Sequence, residues 1–554
     1  MLEEELLQGR DSVLSFPINF SSVLTHLRQD MKDDWFFDAI NYEDLLSDRK
    51  HLEGVITSLL EEGNGRYLGS KRTLFDIPKK GYGIRYSLET DFYDRFVYQA
   101  ICSFLIPYYD PLLSNRVFGH RHRKKSKRDR YLFKSRIDLW STFEGVTLTA
   151  FKAEKTLLAT DLINYFENIT VSSVREAFER KISYIKASGR EKLYIRNAIA
   201  TLCDLLAHWS YSDRHGLPQN RDASSFIANV VLSDVDRRMV AKGYDYFRYV
   251  DDIRIICESP QHARKAITDL ISELRTVGMN INSAKTEILT SSTDTEIINS
   301  FFPGHDDRVS AINQMWRSKS RRIIIRSIPY IYQILEDCIE KKETQSRQFR
   351  FAVNRFTTLI ESKLFDASSQ MAHELIELVL TKLDEQAASS DQFCRLLASL
   401  ELQDEHFEIL ENHLKNDEIS IHGWQNYNLW LLLARKKKRT DELVSIAKDK
   451  ITRRPDAAEI PAIFIYLCCI GAQEELTALT ETYSADWPYI KRRYFLLSVS
   501  NATEDDRRPL ISKLCYKTKG TINRALPYYQ DGLPLRDRDV PNMLDIYEQL
   551  DPYE

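Results

Sequence analysis

Two adjacent aspartates, set between short apolar runs, constrain the fold of this chain more than any other feature. Asp251 and Asp252 follow the run 247–250 (Phe-Arg-Tyr-Val) and precede the run 253–256 (Ile-Arg-Ile-Ile). Aromatic and β-branched residues favour strands, so the stretch predicts a β-hairpin that carries both carboxylates at its turn. Adjacent carboxylates repel each other, and a divalent cation such as Mg²⁺, which prefers hard oxygen ligands, relieves that repulsion. A solvated hairpin tip without a ligand is the alternative interpretation.

A third acid lies upstream, at the end of another apolar run. Residues 156–160 (Thr-Leu-Leu-Ala-Thr) predict a strand that ends at Asp161, and two aromatic residues follow a few positions later. If this strand lies beside the hairpin, its carboxylate joins Asp251 and Asp252, and the three surround a pair of metal ions. A two-metal site stabilises the attacking and leaving oxygens of a phosphoryl transfer. That chemistry would account for three acids without a catalytic histidine.

The blocks around these acids follow one another in a recognisable order. Residues 216–219 (Gly-Leu-Pro-Gln) lie between Asp161 and the hairpin, and residues 278–282 (Gly-Met-Asn-Ile-Asn) lead to Lys285. In this order and spacing the blocks resemble the catalytic palm of reverse transcriptases. The resemblance implies an α/β (α+β) right-hand polymerase fold, with fingers and with a palm built on an antiparallel sheet. The resemblance begins at about residue 71. The residues of this chain that resemble the family's fingers blocks are Arg72, Ile77-Pro78, Arg85, Asp94-Arg95, Gln99 and the run 111–123.

By this resemblance the three aspartates form the catalytic and metal-binding site. Asp161 and Asp251 are expected to bind the metal ions, and Asp252 is expected to be a weaker or indirect third ligand. The implied cofactor is a pair of Mg²⁺ ions, with Mn²⁺ as an alternative. The implied substrates are deoxynucleoside triphosphates.

The resemblance also assigns five residues to the incoming nucleotide. Phe166 matches an aromatic ring beneath the sugar, where its volume excludes a 2′-hydroxyl and favours deoxynucleotides. Gln219 matches a residue that approaches the nucleotide and the template, but Asn220 replaces the glycine that commonly follows it, which puts template handling in question. The other three are basic and are expected at the triphosphate or, for the lysine, at the pyrophosphate as a general acid: Arg72, Arg85 and Lys285.

Two basic clusters with neighbouring aromatic residues suit the phosphates and bases of a nucleic-acid strand. One spans residues 120–130, and the other spans residues 316–322. The net charge of −4 argues against a general nucleic-acid coat protein, but both clusters flank the predicted polymerase site, so we expect them to contact nucleic acid. Solvated loops are the alternative. The residues expected to bind nucleic acid are Arg121, Arg123, Lys124, Lys125, Arg317 and Arg321.

The chain of 554 residues exceeds one ordinary domain, and its composition changes along its length. Fourteen of the 18 glycines precede residue 320, and beyond it apolar residues recur at helical spacing, for example at Leu375, Leu378 and Val379. No strict sequence period is present, so we expect a degenerate, HEAT-like α-solenoid. The predicted parts are an N-terminal helical lead-in (1–70), fingers and palm (71–305) and an all-α C-terminal helical-repeat domain (306–554).

Cellular location is indicated by weaker signals. The eight cysteines are scattered without a Cys-x-x-Cys pair, which favours reduced thiols. The N-terminal residues 1–5 are acidic, unlike a secretory or transit signal. No apolar run reaches the roughly 18 residues of a membrane span. We therefore expect a cytoplasmic protein that does not bind a membrane.

A subfamily resemblance depends on the residues after Lys285. The family's primer grip is poorly matched by residues 301–306 (Phe-Phe-Pro-Gly-His-Asp), and the chain runs directly into helices. Fingers and palm without a clear thumb, fused to helical repeats, are similar to the abortive-infection (Abi) and related unknown-group defence reverse transcriptases of bacteria. The resemblance implies an antiphage DNA polymerase that forms a homo-oligomer. Some relatives synthesise DNA without a template from a protein tyrosine, and others copy an associated non-coding RNA, so both modes stay open.

Protein priming requires an exposed tyrosine on a mobile segment. The chain has 28 tyrosines, and the sequence does not single one out. Tyr42, in the lead-in, is one hypothesis, and its rivals are Tyr528, Tyr547 and Tyr553.

Two other functions compete with DNA synthesis. An RNA-dependent RNA polymerase has a similar palm, but the aromatic ring of Phe166 argues against ribonucleotides. A catalytically idle scaffold would bind nucleic acid or protein through the helical array. The presence of all three aspartates argues against that scaffold.

Overall fold

The computed structural model describes residues 14–123, 132–152, 155–293, 295–302 and 307–536. The chain divides into two compact units. The first consists of residues 1–37, 45–72 and 88–304, and the second consists of residues 38–44, 73–87 and 305–554. Each unit is therefore assembled from segments that are distant in the sequence.

Helices dominate both units, and the described strands are few and short. The strands are β1 (Thr73–Pro78), β2 (Ile84–Glu89), β3 (Thr156–Asp161), β4 (Asp245–Tyr249), β5 (Asp252–Cys257) and β6 (Glu287–Leu289). The α-helices up to residue 302 are α1 (Phe20–Asp30), α2 (Glu43–Leu46), α3 (Arg49–Glu62), α4 (Phe92–Tyr109), α5 (Arg136–Phe151), α6 (Tyr165–Asn168), α7 (Val171–Lys181), α8 (Gly189–Trp209), α9 (Asp222–Ala241), α10 (Pro260–Arg275) and α11 (Thr295–Phe301). Those from residue 307 onward are α12 (Asp307–Arg317), α13 (Arg321–Ile325), α14 (Ile328–Glu340), α15 (Arg347–Glu361), α16 (Gln370–Thr381), α17 (Ser390–Ser399), α18 (Asp404–Lys415), α19 (Gly423–Lys436), α20 (Asp441–Arg453), α21 (Ile460–Cys469), α22 (Gln473–Ala478), α23 (Tyr489–Ser498), α24 (Glu504–Ile511) and α25 (Thr521–Ala525).

The first unit contains a four-stranded sheet with the order β4-β5-β3-β6, and neighbouring strands are antiparallel. The five residues 156–160 of the central strand β3 are all buried, as expected of a strand covered on both faces. In the β3–β5 register, Thr156 lies opposite Cys257 and Asp161 lies opposite Asp252. The predicted hairpin is formed by β4 and β5, and the predicted antiparallel sheet is confirmed.

Helices cover both faces of this sheet. On one face, Trp140 and Phe143 of α5 form a hydrophobic cluster with Phe247 of β4 and Ile256 of β5. Consecutive strand residues point to opposite faces. The neighbour of Phe247, Tyr246, accordingly donates its hydroxyl to Asp236 of α9 on the other face, at 2.9 Å. Because both faces are buried, a slip of one residue in register would place every side chain on the wrong face.

A buried polar cluster joins α1 to the start of α9. Asp222 has a histidine at each carboxylate oxygen: His120 Nε2 lies 3.0 Å from Oδ1, and His26 Nε2 lies 3.3 Å from Oδ2. The Asp222 N–H donates to Asp30 Oδ1 at 2.9 Å. The ring of Phe133 packs against both imidazoles. Although burial opposes ionisation, the two histidines lower the pKa of Asp222 strongly.

From this cluster we predict that the wild-type chain and the variant Asp222→Asn differ in stability, and that the difference depends on pH. Because the folded-state pKa of Asp222 is depressed, its carboxylate stabilises the fold above the unfolded-state pKa of about 3.9, and this contribution is lost as the pH falls further. We expect Asp222→Asn to lower the free energy of unfolding by about 2 kcal/mol at pH 6. The deficit should shrink between pH 4 and pH 3. Urea unfolding of both proteins at these pH values measures it, and a deficit that does not change with pH would contradict the prediction.

The second unit combines a two-stranded sheet of β1 and β2 with a helical array. In the array a helix packs against the second helix along the chain: one row is α15, α17, α19, α21 and α23, and another is α14, α16, α18 and α20. All 10 residues of α21 are buried. A helix that is apolar on every side has to be covered on every side. The described residues 307–536 are largely helical, as predicted, and their relation to HEAT repeats stays a prediction.

The compact units do not follow the predicted parts in every segment. Residues 38–44 lie in the predicted lead-in and residues 73–87 in the predicted fingers, yet both segments belong to the second unit. Strand β1 packs there against α19. Short segments that pack against distant helices leave no local signal in the sequence. The three-part division by function stays a prediction.

All eight cysteines are free thiols, and seven of them are buried. Burial raises the pKa of the adjacent thiols of Cys468 and Cys469 to about 12 each. Such thiols stay protonated at neutral pH and react slowly. Among the described helices, none combines the length and the apolar character that crossing a lipid bilayer requires.

Candidate active site

The three predicted aspartates meet at one end of the four-stranded sheet. Asp161 is the last residue of β3 and lies directly opposite Asp252, the first residue of β5. Directly paired residues of antiparallel strands have Cα atoms about 4.5–5.5 Å apart. Asp251 precedes this pair in the β4–β5 turn, and its carbonyl oxygen accepts a hydrogen bond from the Leu162 N–H at 3.3 Å. Strand pairing alone therefore brings the three residues together.

The end of β3 is also held by the segment that carries Lys285. Leu162 pairs with Ile281 in an isolated bridge, and the Asn282 N–H donates to the Asp161 carbonyl oxygen at 2.7 Å. The chain then forms a single 3-10 turn, Ser283–Lys285. As a result, Lys285 Nζ lies 2.6 Å from Asp161 Oδ2. The structure thus brings predicted Lys285 to the aspartates.

Negative charge dominates the site. Burial, together with the charges of Asp252 and Asp161, raises the pKa of Asp251 well above its usual range. Burial by itself would lower the pKa of Lys285, but the hydrogen bond and the charge of Asp161 outweigh it and raise that pKa. One ammonium group therefore faces three carboxyl groups. Further positive charge would stabilise the ionised form of Asp251.

This donor set fits a divalent cation of the magnesium type. The three side chains offer only carboxylate oxygens, the hard ligands that Mg²⁺ and Mn²⁺ prefer over histidine or thiolate. The meeting of three carboxyl groups at one end of the sheet is the structural observation that supports the fit, because a bound cation would offset their mutual repulsion. Asp161 and Asp251 are the residues that would hold the ions, with Asp252 beside them.

Phe166 and Gln219 lie on two segments that contact each other. Phe166 belongs to α6, the single turn that follows β3, and its ring packs edge-on against Tyr165 with centroids 4.8 Å apart. The next residue, Glu167, accepts a hydrogen bond from Gln219 Nε2 at 3.3 Å. Its carbonyl oxygen accepts another from the His215 N–H, also at 3.3 Å. Glu167, which the sequence did not single out, thus ties the loop of Gln219 to α6.

Asn220, which follows Gln219, has a backbone conformation that glycine adopts freely. Its φ is +57°, in the left-handed region that glycine adopts freely and asparagine tolerates better than most residues. Three more non-glycine residues of the same loop have positive φ: Ser212, Asp213 and His215. The departure from the family pattern therefore changes the side chain at position 220 while the backbone stays in the left-handed region.

The two arginines expected at the triphosphate belong to different units. Arg72 is partly buried and directly precedes β1, at the end of a first-unit segment. Arg85 lies on β2, in a second-unit segment. Their contact with a triphosphate stays a prediction.

Arg121 holds its own loop. Its Nε–H donates to Asp110 Oδ1 at 2.8 Å, and Nη1 donates to the carbonyl oxygens of Ser114 and Val117 at 2.7 Å each. A guanidinium group occupied in this way offers few donors to a phosphate. Arg121 therefore has a structural role in its own loop, and its contact with nucleic acid stays a prediction.

The other basic residues differ in their surroundings. Arg123 is partly buried, and Arg317, at the end of α12, is exposed. Arg321 donates from Nη2 to the Ser362 carbonyl oxygen at 3.2 Å. Nucleic-acid binding by these three arginines stays a prediction. Lys124 and Lys125 lie outside the described residues.

Tyr42 is held in place. It is half-buried, its N–H donates to Asp38 Oδ1 at 2.8 Å, and the Arg493 guanidinium carbon lies 4.5 Å from its ring centroid. These contacts leave Tyr42 only partly exposed, and priming by this residue stays a prediction. Of its rivals, Tyr528 is half-buried. Tyr547 and Tyr553 lie outside the described residues.

Sequence reasoning missed the residues beneath the β4–β5 turn. Arg248, in the middle of an apolar run, is fully buried and pairs with Asp236 of α9. The available signal was a lone arginine in a predicted strand, because a buried charge requires a partner. Nothing local to that run indicated which residue the partner would be.

Comparison with known proteins agrees with this geometry in part of the chain. Residues 77–351 match the family model described as reverse transcriptase (RNA-dependent DNA polymerase), a range that contains all three aspartates. Comparison with curated proteins gives no significant match. Among solved structures, the chain is similar to telomerase from Candida albicans in complex with a TWJ fragment of telomeric RNA, at 12% identity and a TM-score of 0.29, covering 66% of this chain and 70% of that chain. A TM-score this low does not establish a shared fold, so we draw no conclusion from this similarity. Residues 77–351 of the chain are therefore similar to reverse transcriptases.

Proposed function

We propose that this chain is a DNA polymerase of the reverse-transcriptase type. The supporting observation is the meeting of Asp161, Asp251 and Asp252 at one end of an antiparallel sheet, inside the matched range. In the proposed reaction a primer hydroxyl attacks the α-phosphorus of a deoxynucleoside triphosphate. The bond from that phosphorus to the bridging oxygen breaks, and pyrophosphate leaves. Three carboxylates that repel one another destabilise a protein unless a cation offsets the repulsion, so their presence argues against a static scaffold.

Each residue of the site has a part in this reaction. Asp161 and Asp251 would hold two Mg²⁺ ions, with Asp252 supporting them. When bound, such ions lower the pKa of the attacking hydroxyl and neutralise charge on the leaving pyrophosphate. Lys285 stays protonated at neutral pH because its pKa is raised. It would add positive charge beside Asp161 and donate a proton to the leaving group.

Incubation of the purified chain with Mg²⁺ and labelled deoxynucleotides tests the proposal. One sample is treated with ribonuclease during purification and one is not, and any product is sequenced. DNA that survives the treatment would show untemplated synthesis, whereas DNA made only with co-purified RNA would show copying of a dedicated RNA. Ribonucleotide incorporation would favour an RNA polymerase. No product in either sample would favour the scaffold.

Phe166 is expected to select against ribonucleotides. Its ring belongs to the turn that directly follows β3, and we propose that it packs beneath the sugar. Phe166→Ala should lower the preference for deoxynucleotides by about 10- to 100-fold, because a small side chain leaves space for a 2′-hydroxyl. The ratio of kcat/KM for dNTP and rNTP measures this preference. Ile163→Ala, an exposed position just before the same turn, serves as the control. An unchanged ratio in Phe166→Ala would make Phe166 an ordinary packing residue.

Tyrosine-primed synthesis would leave DNA attached to the protein. Three other tyrosines are well exposed. The solvent-accessible areas of Tyr82, Tyr184 and Tyr211, relative to a fully exposed tyrosine, are 106%, 65% and 71%. They are better candidates than Tyr42 on exposure alone. Mass spectrometry of peptides after nuclease treatment would locate a nucleotide-modified tyrosine. A product that separates fully from denatured protein would exclude this mode.

We extend the proposal to antiphage defence of the abortive-infection type, acting as a homo-oligomer in the cytoplasm. The support is the combination of a segment similar to reverse transcriptases with a helical array in one chain. A bacterial host that expresses the wild-type chain should show reduced phage plating, and a host that expresses Asp251→Asn should not. Equal plating on both hosts would limit the proposal to DNA synthesis. Mass photometry of the purified chain would give its oligomeric state.

A further inference from the structure

The turn that presents Asp251 has a conformation that its own sequence disfavours. Val250 has a φ of +57°, in the left-handed region, where a β-branched side chain is strained. A residue keeps such a conformation only where the surrounding contacts enforce it. Two buried features supply those contacts, one on each side of the turn.

Arg248 holds the turn from the side of α9. Its Nε and Nη2 donate to the two carboxylate oxygens of Asp236 at 2.8 and 2.7 Å, and neither side chain is exposed. Its Nη1 donates to Asn229 Oδ1 at 2.9 Å and to the Val250 carbonyl oxygen at 2.8 Å. That carbonyl belongs to the same peptide group as the N–H of Asp251. The guanidinium group therefore fixes the peptide plane from which the Asp251 side chain starts.

Gly119 closes the same arrangement from the other side. A Cβ atom at this position would lie 2.7 Å from Val250 Cγ2 and 3.0 Å from the Val250 nitrogen, so only glycine fits. The Gly119 carbonyl oxygen accepts a hydrogen bond from Asn229 Nδ2 at 2.8 Å. The Phe118 N–H donates to the Arg248 carbonyl oxygen at 2.9 Å. Arg248, Asn229, Gly119 and Val250 thus form a closed circuit of contacts, which we call the turn clamp.

We propose that Arg248 is a positioning residue: through the turn clamp it orients the Asp251 carboxylate for binding of a divalent cation. A buried ion pair adds little net stability compared with apolar residues of similar size, so stability alone does not account for Arg248. The hydrogen bond to the Val250 carbonyl oxygen requires a donor of this reach and direction. The relevance to catalysis rests on the proposed function, but cation affinity can be measured without any polymerisation.

The first test compares Mn²⁺ binding to the full chain and to Arg248→Lys, by loss of the electron paramagnetic resonance signal of free Mn²⁺. Lysine keeps the charge but cannot reach Asp236, Asn229 and Val250 together. The Kd for Mn²⁺ should rise about 10-fold or more, as for other residues that orient metal ligands. The control is Arg95→Lys, a buried arginine of the same unit that pairs with Asp30 and Asp34 away from the turn. Its Kd should stay within about twofold of the wild-type value.

The second test leaves the Arg248–Asp236 pair intact. Gly119→Ala should also raise the Kd for Mn²⁺ about 10-fold, because the added methyl displaces Val250. Val250→Ala removes Cγ2, so the double variant should recover at least half of that loss. Binding at wild-type affinity in Arg248→Lys, or in Gly119→Ala, would overturn the proposal. So would a double variant that recovers nothing.

The outcomes separate this proposal from the polymerase function. If Mn²⁺ binding requires Asp251 and Arg248 but no deoxynucleotide is incorporated, the turn clamp is supported and the polymerase function fails. Suppose instead that the wild-type chain is an active polymerase and that Arg248→Lys has the wild-type Mn²⁺ affinity and kcat. The proposal that Arg248 positions Asp251 is then wrong, and the polymerase function stands.

Discussion

Replacing Asp251 by asparagine is expected to reduce deoxynucleotide incorporation by about 10³-fold or more. An amide is a weaker ligand than a carboxylate, and Asp251 is one of the two residues proposed to hold both metal ions. The loss should appear in kcat, because the interaction that is removed stabilises charge that develops during the reaction. Primer extension at saturating deoxynucleotide concentrations measures it directly.

The same substitution should not weaken the fold. Asp251 is a carboxyl group whose pKa is raised in the folded chain by burial and by two neighbouring carboxylates. Its ionisation at pH 7 therefore opposes folding, and a neutral amide relieves that repulsion. Without divalent cations, Asp251→Asn should melt at the same temperature as the wild-type chain or higher. Added Mg²⁺ should raise the wild-type melting temperature more than that of the variant, because only the wild-type site binds the ion well.

Asp245→Asn is the matched control at the far end of the same hairpin. Asp245 begins β4, and its carboxylate is partly exposed and pairs with Arg116 Nη1 at 2.8 Å. An exposed ion pair of this kind contributes about 0–1 kcal/mol. We expect its activity to equal that of the wild-type chain. If Asp251→Asn retains activity, the three aspartates are not the catalytic centre.

The elements that the sequence predicted well are those with strong local signals. The run 247–256 contains enough aromatic and β-branched residues to indicate two strands, and their pairing places Asp251 in the turn whatever the rest of the chain does. Asp161 could be added because it ends a second run of the same kind. The helices after residue 307 follow from apolar spacing, since a helical face repeats within a few residues.

The sequence does not predict contacts that depend on how one element packs against another, whether the partner is near or distant in the chain. The basic character of residues 120–130 gave no sign that Arg121 binds carbonyl oxygens of its own loop. Asp236 precedes Arg248 by 12 residues, and only the packing of α9 on the sheet brings them together. The hypothesis that Tyr42 primes synthesis requires an exposed side chain, whereas Arg493, more than 400 residues away in the sequence, packs against its ring. Pairings of this kind leave no periodic pattern in the sequence.

Replacing Arg493 by alanine is expected to destabilise the second unit by about 3–5 kcal/mol. Arg493 of α23 is buried, and it donates to Asp38 Oδ1 at 2.9 Å and to Asp44 Oδ1 at 2.7 Å. Burial opposes its charge, but the two carboxylates outweigh burial and raise its pKa well above the usual range. Alanine would leave two buried carboxylates without a counter-charge. The segment 38–44 should then separate from α23.

Hydrogen exchange resolves this effect by segment, because a chain with two units need not unfold in a single step. In Arg493→Ala, peptides covering residues 38–44 and 489–498 should exchange about 10²-fold faster or more, while peptides of β3 and β5 keep their protection. Arg508→Ala removes an exposed arginine that pairs with Asp505 on α24, and it should change exchange little. Adding Asp38→Asn and Asp44→Asn to Arg493→Ala should restore part of the protection, because neutral amides need no counter-charge. If the triple variant is less protected than Arg493→Ala, packing of the arginine side chain, and not its charge, holds the segment.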